Sequence, residues 1–179
     1  MASTTPAGIW GMRATFVLVA LVIMFFHLLP LDTLPRKWSP PDLLLATAMV
    51  WSIRRADFVP TLLIALVMFL ADLLLQRPPG LWALLVLLGC EFLKSRLAGH
   101  RDTPFLGEWF AIAVVVIVIT LLNRVILGIL AVEQAHVALV MVQAIMTIAA
   151  YPIVVLVSQS LFRVNRLSPA EAEAMGNRH

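Results

Sequence analysis

The stretch Asp72–Leu88, DLLLQRPPGLWALLVLL, decides the fold because it joins two hydrophobic segments through a sharp reversal of the chain. The reversal falls at Arg77–Gly80, which reads Arg-Pro-Pro-Gly. Proline lacks the N–H that continues a helix, and glycine tolerates the backbone angles of a tight turn. We therefore predict a hairpin of two membrane helices here, with an acidic residue, Asp72, in the first helix.

The composition indicates an integral membrane protein. Hydrophobic residues make up 61% of the chain and charged residues 13%, against roughly 45–50% and about 25% in a soluble domain. The apolar residues form runs separated by short polar joints, which is typical of one compact all-α bundle without a soluble domain. Although the net charge is +3, the basic residues flank the apolar runs and indicate topology, so we predict no nucleic acid partner. The single cysteine, Cys90, has no partner for an internal disulfide and is expected to be a small buried hydrophobe.

Six transmembrane helices with short loops are predicted within a 12–162 transmembrane domain. They cover residues 12–29, 42–53, 58–76, 81–97, 105–132 and 136–162, between a flexible N-terminus, 1–11, and a polar cytoplasmic tail, 163–179. Pro152 is expected to kink the sixth helix.

The second predicted helix is unusually short. About a dozen residues rise about 18 Å, short of the roughly 30 Å hydrocarbon core. This helix is therefore expected to be shielded by its neighbours, to remain short of spanning, or to lie in locally thinned lipid. Asp42, after two prolines, is placed to stabilise the exposed N–H groups of its first turn.

The basic residues predict an orientation. If six spans alternate sides, nine of the thirteen Lys and Arg residues lie on the side of the two termini and three on the other, with Arg124 inside a span. Because basic residues collect on the cytoplasmic side, both termini are expected in the cytoplasm.

Ionisable groups inside the predicted spans are the first candidates for activity. Asp72 and Arg124 are expected at similar depths, and we predict that they pair. Simple snorkelling of the side chains toward the interface is the structural alternative, and a substrate or proton site is the functional one. Glu91 and Lys94, three residues apart, share a helix face and are expected to form a local ion pair.

The sequence does not contain the common catalytic motifs. Neither a glycine-rich phosphate loop, a Gly-x-Ser-x-Gly elbow nor paired carboxylates occur, so we predict a protein that is not an enzyme and needs no cofactor or metal. Thr120, Asn123, Gln143, Thr147 and Ser158 lie inside the last two predicted helices. We interpret them as interhelical hydrogen bonds rather than ligand contacts.

Two stretches resemble the MreD family of rod shape-determining inner-membrane proteins: SPPDLLLATAMVWSIRR, 39–55, and FVPTLLIALVMFLADLLLQRPPGLWALL, 58–85. Members typically open the second span with Pro-Asp-Leu, close it with a tryptophan and a basic pair, and carry an acidic residue before a Pro-Leu-Gly-like hairpin. The turn here reads Pro-Pro-Gly, a mild departure. The residues at the family positions are Pro41, Asp42, Trp51, Arg54, Arg55, Asp72, Pro79 and Gly80.

The resemblance implies a non-catalytic subunit of the cell-elongation (rod) complex, a scaffold for peptidoglycan synthesis and cell-shape determination. Its partner would be MreC, and through MreC the actin-like MreB, the glycosyltransferase RodA and its penicillin-binding transpeptidase. The family fold is similar to the six-helix substrate-binding subunits of vitamin transporters. The matching residues, together with Arg124, then become structural or partner-contact candidates. Two cytoplasmic joints, one with Arg54 and Arg55 and one at 94–101, are candidate contacts for cytoskeletal partner protein or anionic membrane lipid, with a simple topology signal as the alternative role of their charges.

Two other functions are considered. A small-molecule, vitamin-like substrate-binding subunit of a membrane transporter would resemble others of its kind in an Ala-x-x-x-Ala stripe on the first helix, whereas Ala14 and Ala20 are off that spacing. An enzyme acting on lipid would need a polar cluster that the sequence does not display. The scaffold is therefore the favoured interpretation.

Overall fold

The computed structural model describes residues 6–29, 39–97, 104–132 and 134–162, and this part of the chain consists of helices and their connecting turns. The prediction of an all-helical chain is confirmed. Residues 30–38 of the first joint and the predicted tail, 163–179, lie outside the described residues. The six α-helices are α1 Pro6–Leu28, α2 Leu43–Arg54, α3 Thr61–Leu74, α4 Leu81–Leu97, α5 Phe105–Ile129 and α6 Val137–Phe162, with a 3₁₀ turn at Ala56–Phe58.

Three helices are long and apolar enough to cross a membrane. They are the segments Ala7–Leu28, Phe105–Ile129 and Val137–Leu161, with hydropathies of 2.1, 2.7 and 2.2. Large apolar side chains cover the outside of the bundle: Phe25 is 61% exposed and Phe110 71%. Continuous apolar surface of this kind is suited to lipid rather than water. The chain is therefore a helical membrane protein.

Helix α2 forms the centre of the bundle, packed against α6, α4 and α1. Every residue from Leu44 to Arg54 is buried. The Trp51 ring lies 5.5 Å from the Phe16 ring of α1, and its indole N–H donates to Ser158 Oγ of α6 over 3.2 Å. The predicted shielding of this short helix by its neighbours is therefore confirmed.

Helix starts follow local chemistry. Asp42 Oδ1 accepts a hydrogen bond from the Leu45 N–H at 2.9 Å, so its predicted role in the first turn of α2 is confirmed. The first helix begins at Pro6 instead of Met12, because proline is favourable in the first turn of a helix. Helix α3 begins at Thr61, three residues later than predicted, because the extended Pro60 interrupts the helix.

The α3–α4 hairpin forms where predicted. Gly80 has a φ of +88°, a conformation that glycine adopts without strain. The end of α3 was not predicted: Gln76 has a φ of +54°, and the Arg77 N–H donates to the Asp72 carbonyl at 3.0 Å. This is the Schellman arrangement that satisfies the last carbonyls of a helix, here with glutamine at the left-handed position.

Helix α5 ends in the same way. Ala131 has a φ of +53°, and the Val132 N–H donates to the Leu127 carbonyl at 3.0 Å. The helix therefore stops at Ile129, three residues before its predicted end. Two helix ends at the same side of the bundle thus hold a residue with a side chain in a conformation that favours glycine.

The helices approach closely at one glycine of α4. A Cβ atom on Gly89 would lie 2.9 Å from Val115 Cγ1 of α5, so only glycine permits this contact. The adjacent Cys90 is completely buried, as predicted for a small hydrophobe. Pro152 lies inside α6, which continues to Phe162, and its kink stays a prediction.

Candidate functional site

Polar side chains collect at two opposite ends of the bundle. One end, here the Arg54 end, holds the last turn of α2, the last turn of α4 and the first turn of α5. The other, here the Arg77 end, holds the first turn of α2, the α3–α4 hairpin and the α5–α6 connection. The two ends differ in chemistry, since the first holds a buried ion pair and the second contains a cavity.

A buried ion pair joins three helices at the Arg54 end. Arg54 Nη2 of α2 lies 3.2 Å from Glu108 Oε1 and 3.3 Å from Oε2 of α5. The hydroxyl of Tyr151 in α6 donates to the same carboxylate. The side chains of Arg54 and Glu108 are 5% and 0% exposed, so each charge depends on the other in a region shielded from water. We interpret this triad as an internal brace.

The basic pair Arg54–Arg55 does not form a surface. Both residues are 6% exposed, and the Arg55 guanidinium lies 4.5 Å from the centre of the Phe58 ring. Contact of this joint with partner protein or lipid therefore stays a prediction, made for two residues that are buried in this structure. The arginines are drawn inward because a buried carboxylate and an aromatic face are available there.

Sequence reasoning missed Glu108. An acidic residue in the first turn of a helix is already explained by the helix dipole. That position therefore does not by itself indicate the ion pair of Glu108 with Arg54. The available signal was that it lies within a predicted span, where an ionisable group needs a partner. Its partner, Arg54, is 54 residues away in the chain, and the sequence does not indicate that proximity.

A second local cluster agrees with the sequence. Lys94 Nζ lies 2.8 Å from Glu91 Oε1, so the predicted pair on α4 is confirmed. Thr61 Oγ1 of α3 also donates to that carboxylate at 2.8 Å, and Lys94 Nζ donates to the Val59 carbonyl at 2.9 Å. The pair thus fastens the start of α3 to the end of α4.

Asp72 closes the hairpin from the opposite end of the same helix pair. It is completely buried, and its Oδ2 accepts hydrogen bonds from the Gly80 and Ala83 N–H groups, both at 3.0 Å. These are orphan donors of the first turn of α4. Glycine has no side chain to cap its own helix, so a carboxylate from the preceding helix takes over that role.

The predicted pair of Asp72 with Arg124 is wrong. Arg124 Nη1 instead donates to the Ala135 carbonyl at 3.0 Å, and no salt bridge joins the two side chains. The reason is helix packing: α3 contacts α4 and α1, whereas α5, which carries Arg124, contacts α4 and α6. Asp72 and Arg124 were expected at similar depths in the membrane, but their helices lie on different sides of the bundle.

A cavity of about 210 Å³ lies at the Arg77 end between the hairpin, α2, α5 and α6. Its described wall includes one carboxylate, Asp42, and two guanidinium groups, Arg77 and Arg124. Arg77 Nη1 lies 3.7 Å from Asp42 Oδ2, and its guanidinium lies 5.5 Å from the centre of the Trp82 ring. The uncharged polar residues of the wall are Thr120, Asn123, Gln134, Gln143 and Thr147.

Only some of the uncharged polar residues make the predicted interhelical hydrogen bonds. Thr147 Oγ1 accepts from the Asp42 N–H at 2.8 Å and Ser158 accepts from Trp51, which are interhelical bonds as predicted. Thr120 donates to the Val116 carbonyl within its own helix. For Asn123 and Gln143 the interhelical prediction is wrong: across the described ranges their side-chain amides have no hydrogen-bond partner, and both line the cavity.

Comparison with known protein families, with curated proteins and with solved structures found no match for this chain. Within the four described ranges, no group of three or more His, Cys, Asp or Glu side chains is arranged to hold a metal ion. The class that the fold and site define is thus a small helical membrane protein, braced at one end and containing a polar cavity at the other.

Proposed function

We propose that this protein is a non-catalytic, multi-pass inner-membrane subunit of the bacterial cell-elongation (rod) complex, with six spans and both termini in the cytoplasm. It would scaffold peptidoglycan synthesis and cell-shape determination through MreC, and through MreC reach MreB, RodA and its penicillin-binding transpeptidase. The MreD-like stretches 39–55 and 58–85 are the source of this proposal.

The observation that carries the proposal is the role of the residues that resemble the family. Asp42 begins α2, Trp51 fills the core, Asp72 caps α4 and Gly80 allows the hairpin. Each of these residues has a structural role within or between the helices. A family pattern made of structural residues is what we expect of a scaffold, because a scaffold acts by presenting a rigid surface to its partners rather than by catalysing a reaction.

A second candidate, a vitamin-like substrate-binding subunit of a transporter, is favoured by the cavity at the Arg77 end. Its volume of about 210 Å³ is below the range of about 300–1,000 Å³ usual for pockets that bury an organic ligand. The scaffold therefore remains the preferred function, and the same binding experiment separates the two.

The experiment is a pull-down. The tagged chain is expressed in its own bacterium, extracted with its bound proteins into nanodiscs and captured by the tag, and the bound proteins are identified by mass spectrometry. We expect recovery of MreC and cell-wall synthases. Recovery of an ATP-binding transport module without MreC would instead identify the transporter subunit and overturn the proposal.

The hairpin provides a matched pair of variants for this pull-down. Gly80→Val places a β-branched residue at a φ of +88°, which costs about 1–3 kcal/mol, and we expect weaker recovery of MreC and loss of rod shape. Gly107→Ala is the control, because a Cβ atom there would meet only Pro104, at an ordinary 3.7 Å. Normal MreC recovery and rod shape in Gly80→Val would show that the hairpin does not matter for assembly.

A further inference from the structure

The cavity at the Arg77 end has a chemistry that the scaffold function does not use. We propose that it is a binding site for a phosphate group, carried either by the headgroup of a membrane phospholipid or by free inorganic phosphate. The argument rests on the charge of its wall, the free donors of its wall, its size and its position.

The described wall is short of negative charge. Arg77 and Arg124 face one carboxylate, Asp42, which already lies 3.7 Å from Arg77 and caps the first turn of α2. Arg124 has a backbone carbonyl, that of Ala135, as its hydrogen-bond acceptor. A guanidinium group in a membrane-embedded wall is stabilised by an anion, so an anionic ligand would complete the site.

The wall also offers donors that the described protein leaves unused. The side-chain amides of Asn123 in α5 and Gln143 in α6 line the cavity and have no hydrogen-bond partner across the described ranges. With the two guanidinium groups, they present N–H donors from the hairpin, α5 and α6 around one space. A phosphate carries more acceptor oxygens than a carboxylate and can accept from several directions, whereas Asp42 can satisfy only its neighbours.

The size of the cavity selects a headgroup-sized ligand. About 210 Å³ holds about seven waters at about 30 Å³ each, which is room for a phosphate and a small substituent. The acyl chains of a lipid would remain outside, against the exposed apolar surface of the bundle.

The position of the cavity agrees with a headgroup. Pro78 of the hairpin and Ala135 of the α5–α6 connection are the exposed residues of its described lining, so we place its mouth between them. Its inner wall reaches Thr120, nine residues before the end of α5, which corresponds to a depth of roughly 14 Å. A phosphate entering beside Ala135 would thus meet the Arg124 guanidinium, which lies 3.0 Å from the Ala135 carbonyl, with Arg77 on the hairpin side of the same space.

The test compares two sources of phosphate on the full-length protein. In the first arm, the chain is purified from phosphatidylglycerol nanodiscs and the retained phospholipid is counted by native mass spectrometry. In the second arm, the lipid-depleted protein in detergent is titrated with sodium phosphate, with sodium acetate at equal ionic strength as the comparison, and its melting temperature is followed.

Three variants make the test specific. Arg124→Gln should lower phosphate affinity at least tenfold, while Arg96→Gln, an exposed arginine at the far end of α4, should leave it unchanged. Ala135→Trp should block the mouth without altering charge, and it keeps the proposal testable if Arg124→Gln does not fold.

The outcomes separate the sources. Phospholipid retained by the parent and lost in Arg124→Gln and Ala135→Trp assigns the site to a lipid headgroup. Stabilisation by inorganic phosphate with the same variant pattern assigns it to the free anion. Retention or stabilisation that is equal in Arg124→Gln and Arg96→Gln, an equal effect of acetate, or no binding in either arm would overturn the proposal. None of these results depends on MreC, so they are distinct from the test of the scaffold function.

Discussion

At the scale of the residue, the Asp72 carboxylate is the most informative group in the chain. It caps α4 across the hairpin, with both bonds from Gly80 and Ala83 at 3.0 Å. Asp72→Ala should lower the free energy of unfolding by about 1–3 kcal/mol, because the buried Ala83 N–H and the part-buried Gly80 N–H lose their acceptor. Asp72→Asn keeps one oxygen acceptor and should lose less. Unfolding by SDS titration in mixed micelles measures both, and an unchanged Asp72→Ala variant would contradict the capping role.

The residues with positive φ at the ends of α3 and α5 predict a substitution that increases stability. Gln76 and Ala131 hold φ values of +54° and +53°, a conformation in which a Cβ atom costs roughly 1–2 kcal/mol. Gln76→Gly should therefore raise the free energy of unfolding by about 1 kcal/mol, after the extra entropy of glycine in the unfolded chain is subtracted. Gln76→Ala is the control and should bring no gain. A loss of stability in Gln76→Gly would show that its side chain has a role of its own.

Residue chemistry also explains what the sequence could predict. The start of α2 at Asp42, the turn at Gly80 and the Glu91–Lys94 pair depend on neighbours within a few positions, and all three are found. Gln76 was not predicted at a left-handed position, because nothing in its residue type favours that conformation over a helix. The sequence thus predicts local structure where the residue type itself determines the backbone angle or the charge.

At the scale of the element, three helices depend on one buried triad. Glu108→Leu would leave Arg54 charged and buried, and we expect a loss of about 3–5 kcal/mol in the free energy of unfolding. Adding Arg54→Met removes the orphan charge and should recover most of that loss. SDS titration of the parent, both single variants and the double variant measures the coupling. A double variant as unstable as Glu108→Leu would indicate that packing, rather than charge, holds these helices.

Pairings between elements are the part of the fold that the sequence did not predict. Asp72 and Arg124 were expected to pair because their depths matched, yet their helices pack on different neighbours. Arg54 and Glu108 were not connected, although both lie near the same end. Depth along a helix follows from counting residues, whereas the direction a side chain faces depends on which helices are adjacent. That information appears only when all six helices are packed.

At the scale of the whole molecule, the proposed six-span orientation predicts which positions face each side. Cys90 is buried, so a Cys90→Ala background allows single cysteines to be introduced. Pro78→Cys, at the hairpin, should react with an impermeant maleimide in intact spheroplasts. Ser95→Cys, at the opposite end of α4, should react only after permeabilisation. Labelling of both positions from the same side would contradict the alternating topology, and the reverse pattern would invert the assigned orientation.

The burial of α2 has a consequence for biogenesis. A helix of 12 residues covers only about 18 Å, and its surroundings are supplied by α6, α4 and α1. The nascent chain offers just one of these neighbours when α2 leaves the ribosome. We therefore expect the translocon to retain α2, or to let it re-enter late, until the final helix has been synthesised and can enclose it.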